Sequence, residues 1–307
     1  MVTPQFAIHF LIAVTQLLTG VFANGFIVVV NVVDLIKQRQ MAPLDLLISC
    51  LVTSRIFLQV LIFLTHLVLL SFMEHSVLLD NYAIFLFVNI WGLWLATWLG
   101  VFYCAKITTI PHPLFFWLKR RLSKLVPWLI LGSLLYASIS TVIHSKYICT
   151  ITPKFFNSFS KNATQTKGMD IMTLSFLLFH LTVPLNIFLI ALLLLIFSLV
   201  RHTQHIRTIA VGTTDSSRGI HFRAMMSFLS FLILYFSYYL IGIFFFSHIL
   251  QFGSFLFVFC TMVAGTYPCI HSVILILGNP KLKQSAKCFL LCGQCGQQDE
   301  LGSVQRT

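Results

Sequence analysis

Arg55 is the residue with the most demanding chemistry in this chain, because it lies inside an apolar run extending from Leu44 to Phe72. An arginine near the centre of a membrane helix is costly unless it is paired or hydrated. No Asp or Glu falls at matching depth in any other apolar run. Its partners must then be neutral oxygens, and Asn24 on the first run, Ser272 on the last, or backbone carbonyls are the candidates. Two roles stay open for such a group: a clasp across three helices, or a network that rearranges between two states. A proton relay is not among them, since a guanidinium does not deprotonate and no carboxylate is available to it.

The remaining reactive side chains form no constellation. The sequence holds no HExxH, no glycine-rich phosphate loop and no GxSxG. Its 11 histidines are scattered, without an i, i+4 pair beside a carboxylate, and the acids sit almost wholly at loop positions. No catalytic residue, no metal ligand set and no cofactor is therefore expected, and the chain reads as something other than an enzyme. The cysteines are Cys50, Cys104, Cys149, Cys260, Cys269, Cys288, Cys292 and Cys295, with no pair of CxxC units at zinc-site spacing. Cys288, Cys292 and Cys295 lie beside lysines past the last apolar run, which makes them candidate palmitoylation sites. Asn162-Ala163-Thr164 is the one Asn-x-Ser/Thr glycosylation acceptor.

The elements that position these groups follow from composition. Of 307 residues, 58% are hydrophobic and 9% charged, against roughly 25% charged in a soluble domain. That excludes a water-soluble fold, disorder and a disulfide-stapled scaffold alike. A membrane span needs about 20 apolar residues. Candidate spans run over 8–33, 44–72, 82–110, 125–143 and 171–200. The stretch from Ala224 to Leu277 is apolar almost throughout. As one helix rising about 1.5 Å per residue it would exceed twice the bilayer thickness. It must turn, and the polar, glycine-containing patch Ser247–Ser254 is the natural break, leaving spans 224–246 and 255–278. The expected architecture is an all-α membrane protein: a seven-helix transmembrane bundle over 1–278, then a tail, 279–307, that opens with a short amphipathic helix. The first run lacks a basic leader and a cleavage site, and it reads as a retained anchor.

The formal charge of +12 would point to nucleic acid in a soluble protein. Here it encodes orientation. Fifteen of the 20 basic residues fall in one set of connections, four fall in the opposite set, and Arg55 is the remaining one. The positive-inside rule then puts the N-terminus outside and the C-terminus in the cytoplasm. The Asn162 acceptor falls in the long loop assigned outside, where glycosylation occurs.

Within the spans, Pro184 and Pro268 each remove a backbone hydrogen bond, giving either tolerated kinks or hinges. Asn89, Trp91 and Trp94 lie in the outer half of the third span. Asn89 is deep enough to face the bundle, whereas Trp91 also suits an interfacial anchor. A mostly aromatic cavity with a few polar groups is what a small-molecule site requires, and 31 phenylalanines make one easy to line. Lipid contact uses the same residues.

Specific strings then point to a family. The second span lacks the acid, the third the Asp-Arg-Tyr end and the seventh the Asn-Pro-x-x-Tyr of rhodopsin-like receptors. The chain instead resembles the bitter taste receptors, the taste receptor type 2 family. The matching strings are Asn24-Gly on the first span, Leu51-x-x-Ser54-Arg55 on the second, and Trp94-Leu-Ala-Thr-Trp-Leu-Gly-Val-Phe-Tyr-Cys-Ala-Lys106 on the third. Leu195-Ile-Phe-Ser-Leu-Val-Arg-His-Thr203, Ser230-Phe-Leu-Ile-Leu-Tyr235 and His271-Ser-Val-Ile-Leu-Ile-Leu-Gly-Asn-Pro-Lys-Leu-Lys283 follow in order. Met41-Ala-Pro-Leu-Asp-Leu-Leu and Ser123-Lys-Leu-Val-Pro-Trp resemble one subfamily most.

That resemblance implies a G-protein-coupled receptor of the plasma membrane that binds bitter small molecules in the outer half of the bundle. It further implies activation of a gustducin-type heterotrimeric G protein, leading to phospholipase C and calcium signalling. The family's pocket positions fall on Phe85, Asn89 and Thr261, and Tyr238 matches an aromatic position that moves on activation. Tyr103, Lys106, Arg201 and His202 would face the G protein, while Asn24, Arg55 and Ser272 would form an internal network. Phe85 stands where many members carry Trp, and Thr261 where some carry an acid, which favours neutral or hydrophobic agonists. The outer end of the third span has no Cys, so Cys149 lacks the partner it would have in rhodopsin-like receptors. A pheromone-type receptor is the near alternative and a transporter the distant one, the latter opposed by the lack of repeated halves and intramembrane acids.

Overall fold

The computed structural model describes residues 4–74, 76–107, 113–160, 171–209, 215–246 and 254–289. Backbone amides in hydrocarbon must be paired within their own segment, so long runs of Leu, Ile, Val and Phe become helices. Eight helices are α1 (Pro4–Gln38), α2 (Pro43–Leu69), α3 (Ser76–Asp80), α4 (Tyr82–Ile107), α5 (Pro113–Ser160), α6 (Ile171–Ile209), α7 (Asp215–Phe246) and α8 (Phe255–Gly278). A further helix, α9, covers 280–289. No strand occurs among the described residues. Stretches in α1, α2, α4, α5, α6 and α8 are long and apolar enough to cross a membrane, and α7 holds a shorter apolar stretch, Leu229–Phe244. The apolar run after Ala224 is thus divided between α7 and α8. The short helix α3 was not anticipated by hydropathy, since five residues carry too little periodicity to register.

The helix ends have identifiable stops. Ser71 takes a left-handed φ of 59° just past α2. The amides of Ser71 and Phe72 bond back to the carbonyls of Val68 and Leu67, the double closure of a Schellman turn. The Phe72 ring then packs on Phe6 and Phe10 of α1. Ser254 caps α8 by accepting from the Phe257 amide at 3.2 Å. Asn279 stops α8 and starts α9: its Oδ1 accepts from the Lys281 amide at 3.1 Å, with Pro280 at the first helical position.

The bundle places α2 at its centre, packed against α1, α4, α5 and α8, while α6 joins α4 to α7 and α7 joins α6 to α8. One continuous core runs from Ile27 and Leu51 through Leu95 and Leu99 to Phe188, Tyr235 and Tyr267. Leu11, Phe22, Ile36, Trp128, Ile143 and Phe197 are exposed on outward faces, as lipid-contacting side chains should be.

Candidate ligand cavity and the polar network beneath it

Phe85 and Asn89 are one turn apart on α4, so both project to the same side of that helix. Tyr238 on α7 and Thr261 on α8 face them. The four side chains line a single cavity of about 240 Å³, together with Leu61, Ile62, Thr65, Asn81, Tyr82 and Phe257 among others. The cavity also touches Val77 and Leu78 of α3, so it lies toward the end of the bundle that the charge distribution assigns outside. Its walls are apolar, with polar points from Thr65, Asn81, Tyr82, Asn89, Tyr238 and Thr261 and no charged side chain among the described residues. The Tyr238 hydroxyl donates to Asn89 Oδ1 at 2.7 Å, joining α7 to α4.

Tyr238 also stacks on Tyr267, with centroids 5.0 Å apart and planes at 26°. Tyr267 also contacts Arg55, 2% exposed, whose Nη2 donates to the Tyr267 hydroxyl at 2.6 Å. Its guanidinium carbon sits 4.0 Å from the centre of the same ring. A chain of three contacts therefore leads from Asn89 at the cavity through Tyr238 and Tyr267 to Arg55. Asn24 and Ser272 are bound to one another instead: Ser272 Oγ donates to Asn24 Oδ1 at 2.6 Å, and Asn24 Nδ2 donates back to the Gly20 carbonyl. The three network residues are all buried, and the partner that Arg55 takes is a tyrosine hydroxyl.

A polar seam continues along α1, α2 and α8. His9 Nε2 meets His66 Nδ1 at 2.9 Å. Gln16 donates to the Met262 carbonyl at 2.7 Å, and the Cys269 thiol donates to the Gln16 carbonyl at 3.2 Å. Glycine permits this closeness: a Cβ on Gly20 would lie 2.9 Å from Gln59 Cγ, and one on Gly265 would lie 2.6 Å from Gln16 Oε1. At the opposite end from the cavity, Lys281 Nζ reaches Asp34 and Asp45, each at 2.7 Å. Its amine also donates to Asn31 Oδ1 at 3.3 Å. Burial alone would lower the Lys281 pKa, but the hydrogen bonds to Asp34 and Asp45 outweigh it and raise the value above 10.5. This clasp fixes α9 against the α1–α2 turn.

Comparison with known proteins settles the family. The model of the "Taste receptor protein (TAS2R)" family matches residues 1–294. The chain belongs to the taste receptor type 2 family. It is 55% identical to taste receptor type 2 member 1 of Pan paniscus, over 97% of this chain and 100% of that protein. Against taste receptor type 2 member 119 of Rattus norvegicus it is 53% identical over 93% of this chain and 85% of the relative. Member 9 of Homo sapiens is 34% identical over 92% and 96%. Membership makes the chain a multi-pass membrane receptor of the bitter taste class rather than an enzyme.

Of the residues the resemblance assigns to the G-protein side, Lys106 and Arg201 are exposed at the end opposite the cavity and Tyr103 is half-buried there. The His202 side chain, Asn162, Cys292, Cys295 and the Cys149 side chain lie outside the described residues. Cys288 is exposed on α9. Tyr267, the His9–His66 pair and the two aspartates on Lys281 were not singled out from sequence. The seam does leave a trace there, in polar residues recurring about every seven positions: 9, 16, 24 and 31 on α1 and 45, 59 and 66 on α2.

Proposed function

We propose that the cavity between α2, α4, α7 and α8 binds neutral bitter-tasting small molecules, and that agonist binding activates a gustducin-type heterotrimeric G protein. The observation carrying this reading is the convergence of Phe85, Asn89, Tyr238 and Thr261, from three helices, on one cavity with no charged side chain among its described lining residues. Apolar walls supply affinity through desolvation, while Asn89, Tyr238 and Thr261 supply hydrogen bonds that fix orientation. A group carrying a full charge would be desolvated there without a counter-charge. Agonist favours the active arrangement through contacts with Asn89 and Tyr238, and the Tyr238–Tyr267–Arg55 stack carries that bias toward the bundle centre. Tyr103, Lys106, Arg201 and His202 form the surface for the G protein. Phospholipase C activation and calcium release follow downstream. Asn162 is proposed to carry a glycan, and Cys288, Cys292 and Cys295 to carry palmitoyl groups holding α9 at the bilayer.

The test is a calcium-release screen of diverse bitter compounds in cells that express this chain with a gustducin-like or promiscuous Gα. Agonists without formal charge are expected to dominate the hits. Coupling is reciprocal, so adding heterotrimer to membranes must raise agonist affinity. Unchanged affinity, or a ligand flux that needs no G protein, would overturn the reading.

A further inference from the structure

Arg55 holds more hydrogen-bond donors than the surrounding protein accepts. Its Nη2 is bound to Tyr267, but Nε and Nη1 have no partner among the described residues. Tyr267 accepts from Arg55 through its oxygen and retains its own proton, for which no acceptor occurs among the described residues. One turn further along α8, His271 is 3% exposed and its Nδ1 is likewise without a partner. Tyr267 and His271 share a helix face, with ring centres 6.2 Å apart. Unpartnered polar groups therefore gather around one buried positive charge: two guanidinium N–H groups, the Tyr267 proton and a His271 ring nitrogen that donates when its Nδ1–H tautomer is present.

A bound water would leave the guanidinium charge uncompensated, whereas an anion accepts from Nε and Nη1 and also supplies the opposite charge. The charge points the same way, because arginine cannot shed its proton and a buried unpaired charge is strongly unfavourable. All eight acids are accounted for elsewhere: Asp34 and Asp45 hold Lys281, and Glu74, Asp80, Asp170, Asp215, Asp299 and Glu300 lie outside the apolar runs. The Tyr267 ring and hydroxyl stabilise the guanidinium without neutralising it.

We propose that Arg55, Tyr267 and His271 form a binding site for a small monovalent anion, a halide such as chloride, inside the bundle between α2 and α8. Compactness follows from the enclosure. Arg55 is 2% exposed, and neither it nor Tyr267 is among the residues lining the ligand cavity, so the site takes an ion small enough to be enclosed rather than an agonist's carboxylate. The bound anion supplies the counter-charge that no side chain supplies, and it joins α2 to α8 by charge-assisted hydrogen bonds.

The experiment is thermal unfolding of the purified full-length receptor in lipid nanodiscs, with potassium chloride, bromide, acetate or gluconate exchanged at constant ionic strength. The expected result is a saturable Tm increase of about 2–4 °C in chloride and bromide over gluconate. Arg55→Gln should abolish the difference, and Tyr267→Phe should move the chloride midpoint at least about tenfold higher. Equal Tm in chloride and gluconate for the wild type overturns the site. So does a chloride response that persists unchanged in Arg55→Gln, and acetate matching chloride at the same midpoint overturns the halide. If Arg55→Gln does not fold, an unshifted midpoint in Tyr267→Phe is by itself contrary to the proposal.

Discussion

Arg55 of α2 grips Tyr267 of α8 in two ways at once, donating to its hydroxyl at 2.6 Å while its guanidinium carbon lies 4.0 Å from the ring centre. Tyr267 in turn stacks on Tyr238, which lines the proposed ligand cavity. A cation at the bundle centre is thereby linked to a side chain of the proposed agonist cavity through one aromatic ring. Removing the cation should disturb transmission as well as packing. Arg55→Ala is expected to lower maximal calcium signalling by a larger factor than it lowers surface expression, measured in the same cells. Equal loss of the two would assign Arg55 a purely structural role.

The Asn89–Tyr238 hydrogen bond joins α4 to α7 at the wall of the proposed agonist cavity. Asn89→Ala and Tyr238→Phe each remove one end of a buried bond, so each should raise agonist EC50 several-fold or more. Because they remove the same bond, the double variant should fall short of the sum of the singles by about 1 kcal/mol. A double-mutant cycle on EC50 reads this directly. Strict additivity would mean that the bond plays no part in agonist response.

Hydropathy makes the spanning helices legible, because twenty apolar residues in lipid have few alternatives to a helix. The charge bias makes orientation legible for a similar reason, as basic loops stay on one side. Partner choice inside the bundle is different. Arg55 was recognisable as a cation without an acid, but Tyr267 as its partner depends on the rotation of α8 about its own axis. That rotation is set by packing against α1, where Gly20 and Gly265 admit Gln59 and Gln16. A one-dimensional pattern does not carry it. Asn89 stands out as a polar residue deep in an apolar span, but Phe85, Tyr238 and Thr261 rest on motif resemblance, and no periodicity selects those three from among so many other apolar and aromatic positions.

Close approach between α4 and α6 depends on Gly100. A Cβ there would lie 2.5 Å from two ring carbons of Phe188, a rigid side chain that is 2% exposed. Gly100→Ala should therefore destabilise the receptor by about 1–3 kcal/mol, the usual cost of overpacking. The measurement is Tm and surface expression. Shortening the opposing side chain with Phe188→Leu in the same molecule should restore part of the loss. Failure of that rescue would place the cost in the α4 backbone rather than in the ring.

Lys281 closes the cytoplasmic end by bridging Asp34 and Asp45 at 2.7 Å each, and it ties α9 to the turn between α1 and α2. Its side chain is 32% exposed, so solvent screens the interaction and Lys281→Met should cost only about 1 kcal/mol or less. The pH dependence has a definite sign. Burial pulls the lysine pKa down, but its hydrogen bonds to the two aspartates raise the folded value above 10.5, the value for an ordinary lysine. A raised folded pKa gives stability that is complete below the unfolded pKa and disappears as pH climbs through the folded one. The Tm difference between wild type and Lys281→Met should accordingly stay flat from about pH 6 to pH 9, and shrink only at still more alkaline pH. A difference that fades between pH 6 and pH 8 would show that the amine is not held charged by Asp34 and Asp45. Added salt should reduce it at every pH, since a third of the side chain faces solvent.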